Sequence, residues 1–474
     1  YEGLVILGGT GVGKSRSSGE VVARRLLTAG DGGVVLAAKP DDLHMWANDY
    51  FRRTGRDPRE DLVVIGPQRP HPESIWPGDM LGPRKVFSFN VLDEYERGGR
   101  IASNLAHVLT TVLARGDGRV SHSDEYWQNA LHQLLCCTID LVAKATLAAE
   151  GRPRLTLEDL LAVVQSAAMA PSELRSRRFR GGLCFHMLEL VERHRQNLSD
   201  ADFREVQRDI IYWLSEFPNI AEKTRSIIVS TLTSRADQWL RWPLREMLFS
   251  QSDHEASPLR CFEPDPITGR PKVIVLDAPV KLYKEVGRDA QILYKLIWQR
   301  EAERRARRLL EQNGWAVSAF MWADEAHEII TRTDATFQSA ARSAKVATVF
   351  LTQNLPGIVS AVGESGAFAL LGSLQTKIFH ANGDASTNEW AQRLFGEGEH
   401  SEHSLNVPYQ GGGALSGSFR IGRRPEVPSL RFTLLQKAGP GKRAEAIFFH
   451  PGMRWGFPYS NHVLTAFPPV GQDN

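Results

Sequence analysis

One stretch near the start of the sequence has the residue types and spacing of a phosphate-binding loop. It consists of Gly8, Gly9, Thr10, Gly11, Val12, Gly13, Lys14 and Ser15, and it matches the pattern GxxxxGK[ST]. In such a loop, backbone N–H groups surround the β-phosphate and the following helix contributes favourable partial charge. We expect Lys14 to neutralise the β- and γ-phosphates and the Ser15 hydroxyl to bind Mg²⁺. An ordinary glycine turn is the alternative, but the position between an apolar strand and a helix favours phosphate binding.

A phosphate-binding loop that supports hydrolysis needs a carboxylate at the end of a parallel strand, and two positions offer one. Asp324 and Glu325 follow the apolar run Phe320 to Ala323, whereas Asp277 follows Val273 to Leu276. We favour the adjacent pair, because Asp324 can hold Mg²⁺ through water while Glu325 polarises the attacking water. Asp277 remains the alternative acidic partner.

Three more residues close to this pair in sequence are candidates for roles around a nucleotide. Gln353 follows the predicted strand Thr348 to Thr352, where its amide can contact a γ-phosphate, although a plain turn is the alternative. Arg342 lies on the helix between the two strands and can reach the γ-phosphate of a neighbouring subunit, unless it is a surface arginine. His327 completes the helicase-like string Asp-Glu-Ala-His, which we interpret as incidental, so we expect a structural histidine.

The elements that must position these residues begin with a strand, a helix and a second strand. Leu4 to Leu7 is a buried-type strand, Lys14 to about Ala29 is a helix with Gly30 at its C-terminal cap, and Val34 to Ala38 is the next strand. This spacing is that of a βαβ unit and therefore predicts a parallel sheet.

A long helical segment then interrupts the α/β pattern. Apolar residues recur every three or four positions from about Leu92 to Met247, as on one face of a helix. We therefore predict an all-helical insertion domain at residues 92–259, and a discontinuous nucleotide-binding domain formed by residues 1–91 and 260–474. The predicted fold class is α/β, a P-loop NTPase with a mostly parallel sheet and this insertion.

The pattern after the insertion returns to strands and helices. The predicted elements are a helix from Asp289 to Gln312, strands at Ser318 to Ala323 and Thr376 to His380, a flexible loop around Gly411 to Gly413 with Ser416 and Ser418, and late strands at Leu430 to Leu435 and Ala444 to Phe449.

Length and composition exclude several classes of protein. The chain has 474 residues, of which 42% are hydrophobic and 24% charged. These values exclude a disordered, collagen-like or coiled-coil protein, and the length predicts about two or three domains or one large insertion. The net charge of +2 neither indicates nor excludes a nucleic-acid partner, because a binding patch can be local.

The cysteines and the hydropathy of the chain indicate the cellular compartment and whether a segment spans a membrane. The four cysteines are Cys136, Cys137, Cys184 and Cys261, and no CxxC pair occurs among them. We therefore expect a reduced compartment and no zinc site. The sequence has no signal peptide, and the apolar run Leu134 to Ala149 carries Asp140 and Lys144, which we judge too polar for a bilayer. The chain opens at Tyr1 rather than Met, so we expect a fragment whose membrane anchor, if it has one, lies upstream.

Together these motifs resemble the TraD/TraG family, the coupling ATPases of conjugation and type IV secretion, which are RecA-like and related to the HerA and FtsK DNA translocases. The resemblance spans about residues 1 to 400 and is specific in order and spacing. The shared features are GGTGVGKS at Gly8 to Ser15, a helical insertion after the second strand, ADEAH at Ala323 to His327, ARS at Ala341 to Ser343, LTQN at Leu351 to Asn354, and the strand and loop from Leu374 to Asp384.

The resemblance implies a RecA-like hexameric motor that uses ATP and Mg²⁺ and binds DNA without reading its sequence. It also implies secretion-channel or relaxosome partners and a place in the bacterial cytoplasm, at the inner membrane where an anchor precedes the motor. It gives the family's nucleotide roles to Lys14, Ser15, Asp324, Glu325, Arg342 and Gln353. The family often has an acidic residue and a Lys-Gly pair after its second strand, where this chain has Ala37-Ala38-Lys39-Pro40. The resemblance therefore assigns no role to Lys39.

Two arginine clusters are candidates for DNA contact. The first contains Arg175, Arg177, Arg178 and Arg180, and the second contains Arg300, Arg304, Arg305, Arg307 and Arg308. Such side chains bind phosphate without reading sequence, and a solvated helix face is the alternative for each cluster. Trp239 and Trp242 can stack on bases, but we expect them to pack between helices.

Three functions stay open on the sequence alone. The leading hypothesis is an ATP-driven ring motor that translocates DNA, either of the coupling-protein or of the HerA/FtsK kind. The second is a nucleotide-controlled cargo receptor of a secretion system that pumps little DNA. The third is a metabolic P-loop kinase, against which the size and the paired carboxylates argue.

Overall fold

A single large sheet organises the chain. The computed structural model describes residues 2–113, 122–311, 317–406, 416–456 and 460–468. The strands are β1 (Leu4–Leu7), β2 (Gly32–Leu36), β3 (Leu62–Ile65), β4 (Val273–Leu276), β5 (Ala319–Ala323), β6 (Val346–Thr352), β7 (Thr376–His380), β8 (Glu397–Asn406), β9 (Ser416–Pro425), β10 (Ala444–Phe449) and β11 (His462–Phe467). Nine of them form one sheet in the order β11-β10-β7-β1-β6-β5-β2-β4-β3.

The sheet is mostly parallel, and its central strands are apolar along their whole length. All pairs from β7 to β3 are parallel, and only β10 and β11 run antiparallel to their neighbours. Every residue of β1, β4, β5 and β6 is buried, as expected for strands covered by helices on both faces. The predicted α/β fold class with a mostly parallel sheet is confirmed.

Helices cover the sheet, and most of those that precede β4 lie between β3 and β4. Those that precede β4 are α1 (Glu20–Thr28), α2 (Asp42–His44), α3 (Pro58–Asp61), α4 (Gly78–Leu81), α5 (Glu94–Arg97), α6 (Ala102–Leu113), α7 (His122–Glu150), α8 (Leu157–Ser166), α9 (Arg177–Arg180), α10 (Leu183–Arg193), α11 (Asp200–Ile211), α12 (Phe217–Asn219), α13 (Glu222–Trp239) and α14 (Leu244–Leu248). Those that follow are α15 (Val280–Glu311), α16 (Thr333–Ala341), α17 (Leu355–Ser373), α18 (Ala385–Phe395) and α19 (Ser429–Thr433). The domain boundaries at residues 92 and 259 stay a prediction.

The strand β3 corrects the predicted position of the helical segment. That segment follows a third strand rather than the second, because Leu62–Ile65 pairs in parallel with β4 at the edge of the sheet. Four apolar residues next to a proline-rich loop carry too little periodicity to be told from the loop itself. The second strand also begins two residues earlier than predicted, at Gly32.

The late elements are partly as predicted. The strand at Ala444–Phe449 is confirmed, whereas the predicted strand at Leu430 to Leu435 is wrong, because Ser429–Thr433 is the helix α19. Phe432 and Leu435 are buried while Leu430 and Leu434 are exposed, which is helical spacing. Ser416 and Ser418 lie in β9 rather than in a loop, and Gly411 to Gly413 lie outside the described residues.

Two described helical stretches are long and apolar enough to cross a membrane by length and composition. They are Tyr126–Glu150 and Leu355–Ser373, with 61% and 33% of their most apolar window buried inside the chain. The first includes the run Leu134 to Ala149, which the sequence alone suggested was too polar. It packs against α6, α10 and α11, and buried core helices of this kind pass the same test.

Candidate nucleotide-binding site

The glycine-rich loop connects the end of β1 to a short π-helical turn, Ser15–Gly19, which leads directly into α1. Two of its glycines have backbone angles that favour glycine, with φ of +71° at Gly11 and +97° at Gly13. Lys14 is only 8% exposed, and its Nζ donates hydrogen bonds to the carbonyl oxygens of Gly8 at 2.7 Å and Gly9 at 3.1 Å. Burial lowers the pKa of Lys14, although the carboxylates of Glu325 and Asp324 act against that shift.

Segments that are distant in sequence hold the loop on two sides. The N–H of Gly9 donates to the carbonyl oxygen of Ala381, just after β7, at 2.9 Å. The N–H of Ala438, between α19 and β10, donates to the carbonyl oxygen of Val12 at 3.2 Å. A Cβ on Gly13 would lie 2.5 Å from the Cβ of Ala438. Glycine at position 13 is therefore required both by its φ and by its neighbour.

The structure brings Asp324, and not Asp277, to the glycine-rich loop. Asp324 follows β5, and its Oδ2 accepts a hydrogen bond from Ser15 Oγ at 2.9 Å. Asp277 follows β4, which β2, β5 and β6 separate from β1, and its carboxylate lies 3.9 Å from Arg84. Burial raises the pKa of Asp277 to about 6. Asp324 is therefore the carboxylate that lies beside the loop, and its role as the acidic partner stays a prediction.

Glu325 and Gln353 form a second polar link to the loop. Gln353 Nε2 donates to Glu325 Oε2 at 3.1 Å, and Gln353 Oε1 accepts from Thr10 Oγ1 at 3.2 Å. Glu325 has a left-handed backbone with φ of 45°, which carries strain in a residue other than glycine. Its N–H donates to Asp324 Oδ1 at 2.8 Å. The backbone and Gln353 therefore fix the direction of the Glu325 carboxylate.

Lys39, for which no motif predicts a role, lies in the centre of the site. Its Nζ is 2.6 Å from Asp324 Oδ2 and 3.7 Å from Glu325 Oε1. Burial lowers the pKa of Lys39, but the carboxylates of Asp324, Asp42 and Glu325 together outweigh burial, so the net pKa lies above its usual range. No pattern in the sequence marks Lys39, because strand order brings it here: β2 ends beside β5 in the sheet.

Two further residues missed from the sequence support the loop and the strand ends. Asp42 Oδ2 accepts hydrogen bonds from the N–H groups of Ala38 at 2.7 Å and Lys39 at 2.8 Å. Burial and the charge of Asp324 raise the pKa of Asp42 to about 8. Tyr50 is fully buried and donates from its hydroxyl to the carbonyl oxygen of Ser15 at 2.6 Å. No motif marks either residue.

His327 lies beside the site, and Arg342 lies away from it. His327 Nδ1 is 3.7 Å from Glu325 Oε2 and 3.3 Å from Thr352 Oγ1. Arg342 is exposed where α16 ends, four residues before β6 begins at Val346. The loop follows the carboxyl end of β1, whereas Arg342 precedes the amino end of β6. Because β1 and β6 are parallel, Arg342 and the loop lie at opposite ends of the strands.

The two arginine clusters differ in what they contact. In the first cluster Arg175, Arg177, Arg178 and Arg180 are exposed. In the second, Arg304 makes a bidentate ion pair with buried Glu94 at 2.8 and 2.9 Å, and Arg305 donates to the carbonyl oxygen of Val317. The side chains of Arg307 and Arg308 lie outside the described residues. Arg304 and Arg305 therefore serve the fold, which favours the first cluster as a phosphate-contacting surface.

The tryptophan pair behaves largely as expected for helix packing. Trp239 is fully buried, donates from Nε1 to Asp289 Oδ2 at 2.8 Å, and stacks on Phe249 with ring centroids 5.7 Å apart. Trp242 is 46% exposed and meets the ring of Tyr283 edge-on. Base stacking by Trp239 is thus excluded by its burial.

The oxygen atoms of the site suit Mg²⁺. Ser15 Oγ and the Asp324 carboxylate are hard oxygen ligands within 2.9 Å of each other, the donor type that Mg²⁺ prefers. Within the described residues, no group of three or more His, Cys, Asp or Glu side chains is arranged to hold a metal on its own. An ion here would depend on nucleotide phosphates as well as on the protein, as Mg²⁺ usually does.

The mostly parallel sheet and the glycine-rich loop after β1 define an α/β fold of the P-loop NTPase kind. Residues 319–425 match the family described as the TraM recognition site of TraD and TraG. The predicted resemblance to TraD/TraG coupling ATPases is therefore confirmed. None of the curated protein sequences matches the chain.

Solved structures of one bacterial protein share this fold. The unbound conjugative coupling protein TrwB matches with a TM-score of 0.56 and 16% identity, over 99% of this chain and 85% of that chain. TrwB with a non-hydrolysable ATP analogue matches with a TM-score of 0.54 and 14% identity, over 99% and 87%. TrwB with ADP and Mg²⁺ matches with a TM-score of 0.53 and 15% identity, over 99% and 86%.

Proposed function

We propose that this chain is an ATP-hydrolysing ring motor that binds and translocates DNA, acting as a type IV coupling protein in conjugative transfer. The observation that carries this proposal is the junction of Ser15, Asp324, Glu325 and Gln353 around one loop, with Ser15 Oγ 2.9 Å from Asp324 and Gln353 bonded to both Glu325 and Thr10. A site of this kind places a phosphate, a metal ligand and a proton acceptor within one small volume. The resemblance to TrwB, which binds an ATP analogue and ADP with Mg²⁺, supports ATP and Mg²⁺ as the cofactors.

Each residue of the site has a distinct chemical task in this proposal. Lys14 and the loop N–H groups bind the phosphates, and Ser15 and Asp324 hold the Mg²⁺ ion, which neutralises phosphate charge when bound. Glu325 orients the attacking water and accepts its proton. Gln353 fixes the direction of the Glu325 carboxylate. Through its hydrogen bond to Thr10, Gln353 can also transmit the loss of the γ-phosphate to β6, the strand that it follows.

The motor works as a ring, for which Arg342 provides the link between subunits. Because Arg342 lies on the side of the sheet opposite its own loop, we assign it to the nucleotide of a neighbouring subunit in a homo-hexamer. The exposed cluster Arg175, Arg177, Arg178 and Arg180 supplies the sequence-independent contact with DNA phosphates. Residues 92–259 form the helical domain, while residues 1–91 and 260–474 form the motor domain. We place the ring in the bacterial cytoplasm, at the inner membrane.

A cargo receptor is the second candidate, and one observation favours it. The matched family is described as a recognition site for TraM in TraD and TraG, so residues 319–425 fit a docking role for a relaxosome or secretion-channel protein. Such a receptor would bind cargo under nucleotide control with little pumping. A translocase of the HerA/FtsK kind differs from the leading proposal only in its biological pathway.

One experiment separates these functions. ATP hydrolysis is measured with and without double- and single-stranded DNA, and the assembly state is followed by mass photometry. We expect DNA to stimulate hydrolysis and Mg·ATP to favour rings. DNA-insensitive hydrolysis together with tight cargo binding would favour the receptor, and turnover without any acceptor substrate would exclude a metabolic kinase.

A further inference from the structure

The order of the strands places a lysine where a metal ion and its water shell are expected. β2 and β5 pair in parallel with Leu36 opposite Ala323, so the residues just beyond them emerge at the same edge of the sheet. Asp324 comes one residue after Ala323, and Lys39 comes three residues after Leu36. We propose that Lys39 is a tethered cation that positions Asp324 and Glu325 and competes with the divalent ion for Asp324. This inference rests on the proposed function, since it concerns the same nucleotide site.

The proposed competition concerns a single oxygen atom, Asp324 Oδ2. Asp324 Oδ2 accepts from Ser15 Oγ at 2.9 Å and lies 2.6 Å from Lys39 Nζ. Asp324 is 3% exposed, so few other directions are open around that oxygen. Water bound to an ion on Ser15 would donate to the same oxygen. Lys39 and the ion shell therefore share one acceptor, and their like charges repel.

The position of Lys39 is built into the backbone. Asp42 Oδ2 binds the N–H groups of Ala38 and Lys39, and Pro40 restricts the chain directly after the lysine. Asp42 is itself 3% exposed. A surface lysine that contacts the site by accident would not have its own backbone fixed by a buried carboxylate. The ammonium group is thus delivered to Asp324 from a rigid turn.

Lys39 also reduces the repulsion between the two carboxylates when no metal ion is bound. Asp324 and Glu325 are adjacent and almost fully buried, and two such carboxylates repel each other. Lys39 Nζ lies close to both, at 2.6 and 3.7 Å, and compensates part of that charge. When Mg²⁺ arrives with a nucleotide, this compensation is no longer needed. The lysine then raises the concentration of Mg²⁺ that the site requires.

The test measures metal affinity rather than turnover. Wild-type protein and the variants Lys39→Met, Lys39→Arg and Lys281→Met are loaded with ADP at pH 8, and Mn²⁺ is titrated while free Mn²⁺ is read by electron paramagnetic resonance. Lys281 is the matched control, because it is an exposed lysine whose N–H bonds to the carbonyl oxygen of Ala38. Fluorescent ADP binding is recorded in parallel for every variant.

We expect Lys39→Met to bind Mn²⁺ about tenfold more tightly than wild type, because a positive charge near the ion is removed. Lys39→Arg should bind Mn²⁺ equally or more weakly, since a guanidinium can hold the carboxylate with two hydrogen bonds. Lys281→Met should match wild type. Unchanged or weaker Mn²⁺ binding in Lys39→Met overturns the inference, as does tighter binding in Lys39→Arg, which decides the question if the methionine variant does not fold. Failure of the wild type to bind ADP would instead overturn the proposed function.

Discussion

The side-chain amide of Gln353 joins Glu325 to the glycine-rich loop, with Nε2 3.1 Å from Glu325 Oε2 and Oε1 3.2 Å from Thr10 Oγ1. One residue therefore touches both the proposed base and the loop that would enclose the phosphates. Asn382 donates to the carbonyl oxygen of Gln353 at 3.0 Å and holds its backbone in place. We therefore expect that the loss of a γ-phosphate from the loop would shift Gln353, and with it both Glu325 and β6.

Replacing Gln353 should separate catalysis from binding. We expect Gln353→Ala to lower kcat by about 100-fold, because a misplaced catalytic group costs about that much, while the affinity for ATP changes little. Steady-state hydrolysis and fluorescent nucleotide binding check this. Gln375→Ala is the control, since its amide bonds only locally to the carbonyl oxygen of Gly372. A parallel loss of affinity in Gln353→Ala would mean that the residue binds nucleotide instead of positioning Glu325.

The two charged residues of the site should fail in different ways. Lys14→Ala should abolish hydrolysis, because phosphate charge is no longer neutralised. Glu325→Gln should bind ATP but hydrolyse it about 10²- to 10⁴-fold more slowly, since the proton acceptor is lost. Asp277→Asn, a buried acid at another strand end, should keep its activity. If Glu325→Gln hydrolyses at the normal rate, the assignment of Glu325 as the proton acceptor is wrong.

Arg342 should act on a neighbouring subunit. An arginine that stabilises transition-state charge contributes on the order of 10³ or more in rate, so Arg342→Ala should nearly silence a ring. Mixing it with inactive Lys14→Ala should restore part of the activity, because some interfaces then pair an intact loop with an intact arginine. The readout is the hydrolysis rate against mixing ratio, after subunit exchange. Full activity of Arg342→Ala alone would show a surface arginine and remove the main support for a ring.

DNA binding should depend strongly on salt and weakly on sequence. Changing Arg175, Arg177 and Arg180 to Gln should lower DNA affinity and reduce the slope of log affinity against log salt by about 0.9 for each phosphate that the protein no longer neutralises. Fluorescence titrations at several salt concentrations measure both quantities. Salt-independent or strongly sequence-specific binding by wild type would count against the motor.

A substitution in the second arginine cluster should affect stability instead of DNA. Arg304→Gln leaves Glu94, which is fully buried, without its bidentate partner and should lower the free energy of unfolding by about 3 kcal/mol. Denaturant unfolding measures this change. A large loss of DNA affinity with unchanged stability would return this cluster to the DNA-contacting surface.

The sequence predicted the parts of the site that lie on strong local patterns. The loop from Gly8 to Ser15, the acidic pair after β5 and Gln353 after β6 all follow apolar strands, and parallel strands bring their carboxyl ends to one edge. The choice of Asp324 over Asp277 depended on paired carboxylates and stays a prediction, while the strand order brings Asp324 and not Asp277 to the loop. Short apolar runs were the weak point, since β3 was missed and α19 was predicted as a strand.

Lys39, Asp42 and Tyr50 could not be predicted for a different reason. Lys39 and Tyr50 contact segments that are distant in sequence, whereas Asp42 bonds to N–H groups only three and four positions away, and none of the three belongs to a spaced motif. Lys39 meets Asp324 across 285 positions, and the fully buried Tyr50 meets the loop across 35. Single-sequence periodicity reports which face of an element is buried, but not which strand lies beside it. The same limit applied to Arg304, whose partner Glu94 is 210 positions away.

The hydrogen bond from Ala438 to Val12 affects how truncated forms of the chain are to be interpreted. The turn that donates it lies beyond β9, in the C-terminal tail that also contributes β10 and β11 to the sheet. Removing that tail strips one support from the glycine-rich loop and exposes Gly13 where Ala438 covered it. Loss of function in such a deletion could therefore result from a less ordered phosphate-binding loop as readily as from a missing docking surface. Point substitutions at the exposed residues Leu430, in α19, or Leu434, directly after it, keep the two effects apart.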